Sequence, residues 1–375
     1  MFKRLSSFLL FIIVGCANPI EGILDSGHPS ITKVMDSLEN YELQIIYTQI
    51  DSTEAGYQFT EHTFQENHKN YFYPASTVKF PVALLAAEYV ALHPELTIDT
   101  PYSIKNDSMS RTIARDISQI FAISDNDAYN RLYELLGRDY VNNRLAELGL
   151  DHTRISHRLS APNAHENTRK KIQLYPSYEG DIFIPEIAAD TDVKPLSINK
   201  TLKGKGFIKD DTLVNAPMDF TLKNAFPLED QHQLMKQFFF PNTINKKKRI
   251  QLNPSEKIRV KKMMATLPRD ASYDTVTYYD SYGKFFMYGD TKDTIPSHIK
   301  IYNKVGYAYG TLTETAYIVD EKEDVEFLLS ATLLVNKNGI FNDDHYEYDE
   351  IGIPFMAQLG REFYEYALDH KTTDL

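Results

Sequence analysis

The stretch YPASTVKFPVALLAAEYV, residues 73–90, combines the pattern of a buried helix with two reactive side chains. Its apolar residues recur at helical spacing and predict one buried stripe, formed by Val78, Val82, Leu85, Ala86 and Tyr89. Ser76 stands where this helix should begin, and Lys79 follows three positions later, so the two side chains share a helix face. The helix therefore begins with a hydroxyl and an amine placed side by side.

The pairing of Ser76 with Lys79 suits nucleophilic catalysis. A serine hydroxyl needs a base and a site for developing negative charge, and the first turn of a helix presents unpaired N–H groups. A buried lysine can act as the base because desolvation disfavours its ammonium form. The same residues also fit a structural role, in which Ser76 caps the helix and Lys79 is solvated. Taken alone, the S-x-x-K spacing favours the structural role because it is common by chance.

A second motif, Ser124-Asp125-Asn126, lies in a loop between two predicted helices. Ser124 could be the N-cap of the second helix, with Asp127 imitating a capping box. Alternatively, the hydroxyl of Ser124 and the amide of Asn126 could face the cleft of Ser76, where they would transfer protons or hold substrate.

A third motif, Lys304-Val305-Gly306, lies on a predicted strand near the end of the chain. Its structural interpretation is an edge strand with a solvated lysine and a glycine bulge. Each motif is weak by itself, and the specific signal is their order and placement.

The motifs S-x-x-K, S-D-N and K-T-G mark class A β-lactamases and penicillin-binding proteins. Here they come in that order at a helix start, in an interhelical loop and on a late strand, so the sequence resembles the penicillin-recognising serine hydrolases, closest to the class A β-lactamase-like branch. Lys304, Gly306, Gly310 and Thr311 also keep the spacing of that family. The resemblance covers most of the chain from about residue 30 onward, except for about 170–290.

The resemblance implies catalytic roles for three residues. Ser76 would be the acylated nucleophile, Lys79 its proton acceptor or a partner of one, and Ser124 the residue that relays protons to the leaving group. The backbone N–H groups of Ser76 and Tyr307 would form the oxyanion hole.

The resemblance also implies substrate-binding roles on the other side of the cleft. Asn126 would hold the substrate amide, and Lys304 would supply positive potential for a substrate carboxylate. Gly306 and Tyr307 continue the same strand beside the substrate.

Two departures from the family pattern concern substrate binding and deacylation. Val305 replaces the usual hydroxyl residue, so one contact to a substrate carboxylate is missing. The nearest match to the family's water-positioning loop is HENTRKK, residues 165–171, which offers Glu166 as a possible deacylation base. Lys170 stands where the family has asparagine.

Strand patterns occur at both ends of the chain, and helical patterns fill the middle. This arrangement predicts an α/β (α+β) fold, with a mainly antiparallel sheet built from both termini and an inserted helical lobe. The resemblance makes the sheet five-stranded, flanked by helices, and the lobe all-helical. We expect one serine hydrolase domain over 30–375, with the helical lobe at about 92–170 and a long insert at about 170–290.

The N-terminus has the pattern of an export signal. Lys3 and Arg4 precede a short apolar run, and Gly15 precedes Cys16, the only cysteine of the chain. Residues 13–16 resemble the lipobox of bacterial lipoproteins, which implies a signal peptide over 1–15, lipidation of Cys16 and a flexible tether over 16–29. The alternative is a signal peptide with an incidental cysteine. Either way we expect export, and the lipobox implies lipid anchoring in a bacterial cell envelope.

The formal net charge of −12 disfavours nucleic acid as a partner. The sequence contains no HExxH, no CxxC and no glycine-rich phosphate loop, so we expect neither a cofactor nor a metal site. The expected partners are a small-molecule or peptide substrate and a membrane reached through the lipid anchor.

The leading functional hypothesis is a lipid-anchored serine hydrolase of the β-lactamase or penicillin-binding (D,D-peptidase-like) type. It would act through a Ser76 acyl-enzyme on a β-lactam, or on an amide or ester like those of peptidoglycan peptides. The alternative is a catalytically silent lipoprotein of the same fold that binds a cell-wall fragment or a protein.

The N-terminal pattern generates a testable prediction. Replacing Cys16 by serine (Cys16→Ser) should abolish incorporation of labelled fatty acid and stop processing before residue 16, because the thiol is the acylated group. Metabolic labelling and intact mass measure both effects. A wild-type protein that is recovered without lipid would contradict the prediction.

Overall fold

The computed structural model describes residues 18–54, 56–104, 109–176, 180–186 and 189–371. Cys16 and the predicted signal peptide lie outside these ranges. The helices are α1 Pro19–Leu24, α2 Pro29–Met35, α3 Lys79–Ala91, α4 Ile113–Ile123, α5 Asn126–Leu136, α6 Arg138–Glu147, α7 Leu228–Phe239, α8 Pro254–Ala265 and α9 Ile353–Asp369. Among the described residues, no helix has the length and apolar character needed to cross a bilayer.

The described strands form one large sheet and three small ones. They are β1 Gln44–Thr53, β2 Gly56–Phe64, β3 Pro101–Ile104, β4 Arg111–Thr112, β5 Ile172–Leu174, β6 Leu202–Lys203, β7 Gly206–Lys209, β8 Thr212–Val214, β9 Met218–Asp219, β10 Ile299–Ala308, β11 Thr311–Asp320, β12 Val325–Leu334 and β13 Ile340–Phe341.

The large sheet has five strands in the order β10-β11-β12-β1-β2, and all of its pairs are antiparallel. Strand β1 from the N-terminal part pairs with β12 from the C-terminal part, with Gln44 opposite Thr332. The sheet is thus built from both ends of the chain, and the α/β (α+β) prediction with a five-stranded antiparallel sheet is confirmed.

Two apolar cores lie on either side of this sheet. One packs α1, α2 and α9 against it through residues such as Tyr47, Leu329, Phe355 and Phe363. The other surrounds α3 and joins it to α4 and α5. Nearly every side chain of α3 is buried, so the helix is enclosed on all sides and its apolar stripe is only part of the buried surface.

The middle of the chain is less purely helical than the sequence indicates. Helices α4, α5 and α6 form the lobe, and they are accompanied by a small sheet of order β4-β3-β5. The segment at about 170–290 carries α7, α8, the small sheet β6-β9 and two strands of the sheet β13-β7-β8, whose third strand comes from residues 340–341. Buried His232 attaches α7 to the large sheet, because its ring nitrogens lie 2.7 Å from Thr48 Oγ1 and 2.9 Å from Ser330 Oγ.

The prediction of a flexible tether over 16–29 is wrong for the described residues 18–29. Asn18 caps helix α1 by accepting a hydrogen bond from the N–H of Ile20. Ile20, Ile23 and Leu24 are buried in the core that contains α9. The prediction relied on residues that are typical of loops. A helix this short is not stable by itself, and burial of these three apolar side chains against the rest of the protein stabilises it.

Candidate active site

Ser76 lies in a short 3₁₀ turn, Ala75–Val78, that leads directly into α3 at Lys79. Thr77 closes this turn with its N–H and hydroxyl, which both donate to the carbonyl of Pro74, at 3.1 and 2.7 Å. Ala75 has a φ of 47°, an uncommon conformation for a residue with a Cβ. Ser76 is half-buried, whereas its neighbours are buried, so the turn presents this one hydroxyl at the helix start.

Gly306 on β10 packs directly against the backbone of the Ser76 turn. A Cβ at this position would lie 2.6 Å from the carbonyl oxygen of Pro74 and 2.9 Å from the backbone nitrogen of Ser76. Only glycine therefore allows the strand to approach this closely. Tyr307, the next residue, is 58% exposed and lines the same cleft as Ser76.

Lys79, Ser124 and Lys304 meet around one hydroxyl group. Lys79 Nζ donates to the carbonyl oxygen of Ser124 and lies 3.2 Å from its Oγ. Lys304 Nζ donates to the same Oγ at 2.8 Å and to the Val305 carbonyl oxygen at 2.8 Å. The structure thus brings together residues from all three sequence motifs.

Burial changes the protonation of both lysines. Desolvation lowers the pKa of Lys79 to about 7, although the charge of Asp125 opposes the shift. Burial, followed by the nearby charges of Lys79 and Lys284, lowers the pKa of Lys304 well below its ordinary value. Two ammonium groups on one hydroxyl repel each other, so one lysine can be neutral near neutral pH and act as a base.

Ser124 does not cap the helix that follows it. It ends α4 in a left-handed conformation, with φ 56° and ψ 39°. Asp125 is the N-cap of α5 instead, since its Oδ1 accepts a hydrogen bond from the N–H of Ala128 at 2.6 Å. The N-cap alternative for Ser124 is wrong, and its side chain is left to contact the two lysines.

Asn126 begins α5 and lines the cleft opposite the strand. Its side-chain amide donates to Ser160 Oγ at 3.0 Å. Ser160 has a φ of 48° and was not among the predicted site residues. No recognisable motif surrounds Ser160 in the sequence, so only the folded structure shows that it belongs to the cleft.

The cleft has a volume of about 730 Å³ and one markedly basic wall. His157, His165 and Lys223 line it, with Lys223 Nζ 3.3 Å from His165 Nε2 and the two imidazole rings 4.9 Å apart. Asp344 is the only acidic residue among the described residues that line the cleft. Burial lowers the pKa of all three groups, and since both imidazoles are then neutral near pH 7, the positive charge of this wall comes from Lys223.

His157 is held in one tautomer. Its Nδ1 lies 2.6 Å from the carbonyl oxygen of Arg158, which requires a proton on Nδ1. Its Nε2 is then a buried acceptor, and none of the described residues forms a hydrogen bond with it. Burial lowers the pKa of this histidine to about 3, so the imidazole is neutral at physiological pH.

Glu166 does not reach the cleft. Its side chain is exposed, and its closest polar contact is with Thr168 Oγ1 at 3.5 Å. The loop that carries Glu166, residues 165–171, is organised by the buried pair of Arg158 and Glu134, whose Nε and Oε1 atoms are 2.6 Å apart. Arg158 also binds the carbonyl of Glu166 at 3.0 Å, and Glu134 accepts a hydrogen bond from the Lys170 N–H at 2.7 Å. The loop backbone is thus tied to buried side chains, and the exposed Glu166 carboxylate is not among the groups that line the cleft of Ser76.

The strand carrying Lys304 is supported by a polar network that the sequence motifs did not indicate. Lys284 is buried and donates to the Ile301 carbonyl at 3.0 Å and to Asn303 Oδ1 at 2.7 Å. Glu314 on β11 accepts the N–H groups of Phe285 and Phe286 and the amide of Asn303. Burial lowers the pKa of Lys284 and raises that of Glu314.

Val305 belongs to the apolar core of the large sheet and does not line the cleft. An apolar residue at this position is therefore explained by its apolar surroundings.

Comparisons with known proteins agree with this fold. Residues 30–177 match the model of the beta-lactamase enzyme family, which covers fewer than half of the residues. No curated protein matches the chain.

Solved structures match over nearly the whole chain at low identity. A class A β-lactamase from Bacteroides cellulosilyticus is 11% identical, with a TM-score of 0.55, over 94% of this chain and 99% of that one. A β-lactamase from Sphaerobacter thermophilus is 13% identical, with a TM-score of 0.52, over 93% and 96%. The protein called PBP-A is 14% identical, with a TM-score of 0.52, over 94% and 96%.

These matches confirm the resemblance read from the three motifs. The protein has a class A β-lactamase-like fold, and its residues 30–177 match the beta-lactamase enzyme family.

Proposed function

We propose that the protein is a serine hydrolase that works through an acyl-enzyme on Ser76. The observation that carries this proposal is the contact of Lys79 and Lys304 with the Ser124 hydroxyl, since Lys79 is the residue that directly follows the turn presenting Ser76. In the purely structural role, Ser76 would cap the helix and Lys79 would be solvated. That role does not explain why two buried amines contact one hydroxyl. This arrangement supports catalysis over the silent alternative.

The proposed acylation step uses Lys79 as the base. Ser76 Oγ attacks the substrate carbonyl carbon, and its proton passes to neutral Lys79 as the new C–O bond forms. The carbonyl oxygen becomes an oxyanion, which the N–H groups of Ser76 and Tyr307 stabilise. The C–N or C–O bond to the leaving group then breaks, and Ser124 gives that group a proton. Ser124 regains a proton from Lys79, which returns to its neutral form.

The proposed substrate is a β-lactam, or an amide or ester like those of peptidoglycan peptides, that carries a carboxylate. Lys304 is only 2% exposed, and its lowered pKa favours the neutral amine, so we assign the attraction of the carboxylate to the cleft wall. Lys223, which lines the cleft, supplies the positive charge there. A substrate carboxylate could therefore be attracted without the hydroxyl that Val305 replaces.

We further propose that the mature protein is held in a bacterial cell envelope by lipid on Cys16. Cys16 stands two residues before Asn18, where the described structure starts and α1 is capped. Because α1 is already packed into the core, very few residues would separate the lipid anchor at Cys16 from the folded domain.

Ser76→Ala should abolish covalent labelling by a penicillin or a fluorophosphonate, because it removes the attacking oxygen. Intact mass and peptide mapping measure the adduct, and circular dichroism checks the fold. The matched control is Ser255→Ala, which removes a hydroxyl that bonds Asn253 at the start of α8, outside the cleft. Labelling that persists in the Ser76 variant would refute the assignment.

Acylation should require the neutral form of Lys79. Because the pKa of Lys79 is about 7, the acylation rate should fall as pH drops below about 7 and level off above it. Lys79→Arg should reduce the rate by about 10²–10⁴-fold, because a guanidinium stays protonated. Single-turnover kinetics across pH measure both effects.

The control for this change is Lys262→Arg on the exposed surface of α8, which should keep the wild-type pH profile. A rate that does not depend on pH between 5 and 9 in the wild-type protein would show that Lys79 is not the base.

Deacylation should be slower than acylation if the protein accepts β-lactams. No described carboxylate other than Asp344 lines the cleft, and the Glu166 side chain is exposed outside it. Losing a positioned base costs about 10²–10⁴ in rate, so the acyl-enzyme should persist. Stopped-flow turnover of a chromogenic cephalosporin, with mass detection of the adduct, measures the ratio.

Rapid multiple turnover without a detectable adduct would contradict this prediction. A group such as His157, with its free Nε2 acceptor, would then have to activate the water. His157→Gln would test that role.

A further inference from the structure

Three side chains with metal-ligand chemistry converge outside the cleft of Ser76. They are His68, His152 and Glu229, and their ligand atoms all lie within 4.8 Å of one another. The two imidazole rings stack with centroids 4.0 Å apart, and His68 Nδ1 is 3.4 Å from Glu229 Oε2. We propose that this cluster binds a divalent transition metal ion of the zinc class.

The donor set determines the class of metal. Two imidazoles and one carboxylate suit Zn²⁺ and its neighbours in the first transition row, whereas Ca²⁺ and Mg²⁺ prefer oxygen ligands. A three-residue site of this type leaves a fourth position for water. The side chains of His68 and Glu229 are 30% and 50% exposed, so they can rotate the short distance needed to close on an ion.

A buried carboxylate positions two of the ligands. Asp230 lies next to Glu229 in the first turn of α7, and its side chain is buried. Its Oδ2 accepts hydrogen bonds from the N–H of His152 at 3.2 Å and from the hydroxyl of Thr153 at 2.6 Å. The backbone of His152 is therefore fixed relative to Glu229, although the two residues are far apart in sequence.

The backbone of His68 is held by a turn of its own. The N–H of Asn70 donates to the carbonyl of Asn67 at 3.0 Å, and the N–H of Asn67 donates to Gln44 Oε1 on β1 at 3.1 Å. The ring of His68 thus projects from a short turn anchored to the large sheet. Such fixed backbones reduce the entropy lost when an ion is bound.

The surroundings of the cluster favour a cation. Glu66 precedes His68 by two residues, and its Oε1 atom is buried without a hydrogen-bond partner in the described part of the chain. Within the described ranges, neither Glu66 nor Glu229 forms an ion pair with lysine or arginine. A bound dication would supply the positive charge that these two carboxyl groups lack.

The ion would connect three segments that the fold brings together. His68 lies on the segment leading to Ser76, His152 on the turn leading to His157, and Glu229 at the start of α7. Binding would therefore clamp the approaches to both walls of the cleft. This inference does not depend on the proposed catalytic function, because it concerns a separate structural site.

The test uses the full chain, treated with a chelator and then dialysed. Titration calorimetry with zinc sulfate should show one ion per chain, and thermal unfolding should shift upward when Zn²⁺ is added. Co²⁺ should give the visible absorption bands of a tetrahedral site. His152→Ala and Glu229→Gln should each weaken Zn²⁺ binding by at least about 100-fold.

The matched control is His345→Ala, which removes an exposed imidazole 3.9 Å from Asp343. This variant should bind Zn²⁺ as the wild-type protein does. Circular dichroism of the metal-free variants separates loss of a ligand from loss of fold. The proposal is overturned if the wild-type protein binds no Zn²⁺, or if folded His152 and Glu229 variants bind it as tightly as the wild type.

Discussion

The hydroxyl of Ser124 is the point on which the candidate active site depends. It contacts Lys79, which belongs to the helix that follows the nucleophile turn, and Lys304, which belongs to the large sheet. Burying two amines is unfavourable unless their hydrogen bonds are satisfied and their charge is reduced. This contact joins the lobe to the sheet, and the burial that accompanies it lowers the pKa of Lys79 to about 7. Stability of the junction and reactivity of the base have a common physical cause.

The sheet side of the site is held by close packing and by a buried polar network. Gly306 allows β10 to touch the backbone of the Ser76 turn, where any side chain would collide with it. Behind the strand, Lys284, Asn303 and Glu314 satisfy one another and fix the segment that follows the insert. Burial and the charges of Lys79 and Lys284 hold the pKa of Lys304 well below its ordinary value, so this environment favours the neutral form of that lysine.

The long insert contributes to the domain at several points. His232 attaches α7 to β1 and β12, and Lys223 lines the cleft. Strand β13 pairs in parallel with β7 of the insert, so the segment after β12 is tied to it as well. The same insert supplies Glu229 to the proposed metal site. Its irregular sequence conceals these roles because each depends on a partner from another part of the chain.

The sequence by itself determined the fold class and the identity of the main chemical groups. Helical and strand periodicities placed α3 and the strands of the large sheet, and the order of three motifs connected Ser76, Lys79, Ser124 and Lys304. These signals are local, or depend only on order along the chain, so a single sequence carries them.

Only the tertiary structure decided which side chains meet. The left-handed conformation of Ser124, the exposure of Glu166 and the burial of Ile20 all arise from long-range packing. The basic cleft wall and the cluster of His68, His152 and Glu229 join residues from distant segments, with no spacing that a motif could register. Local periodicity reports the face on which a residue lies, whereas its partner is set by how the faces of different elements pack together.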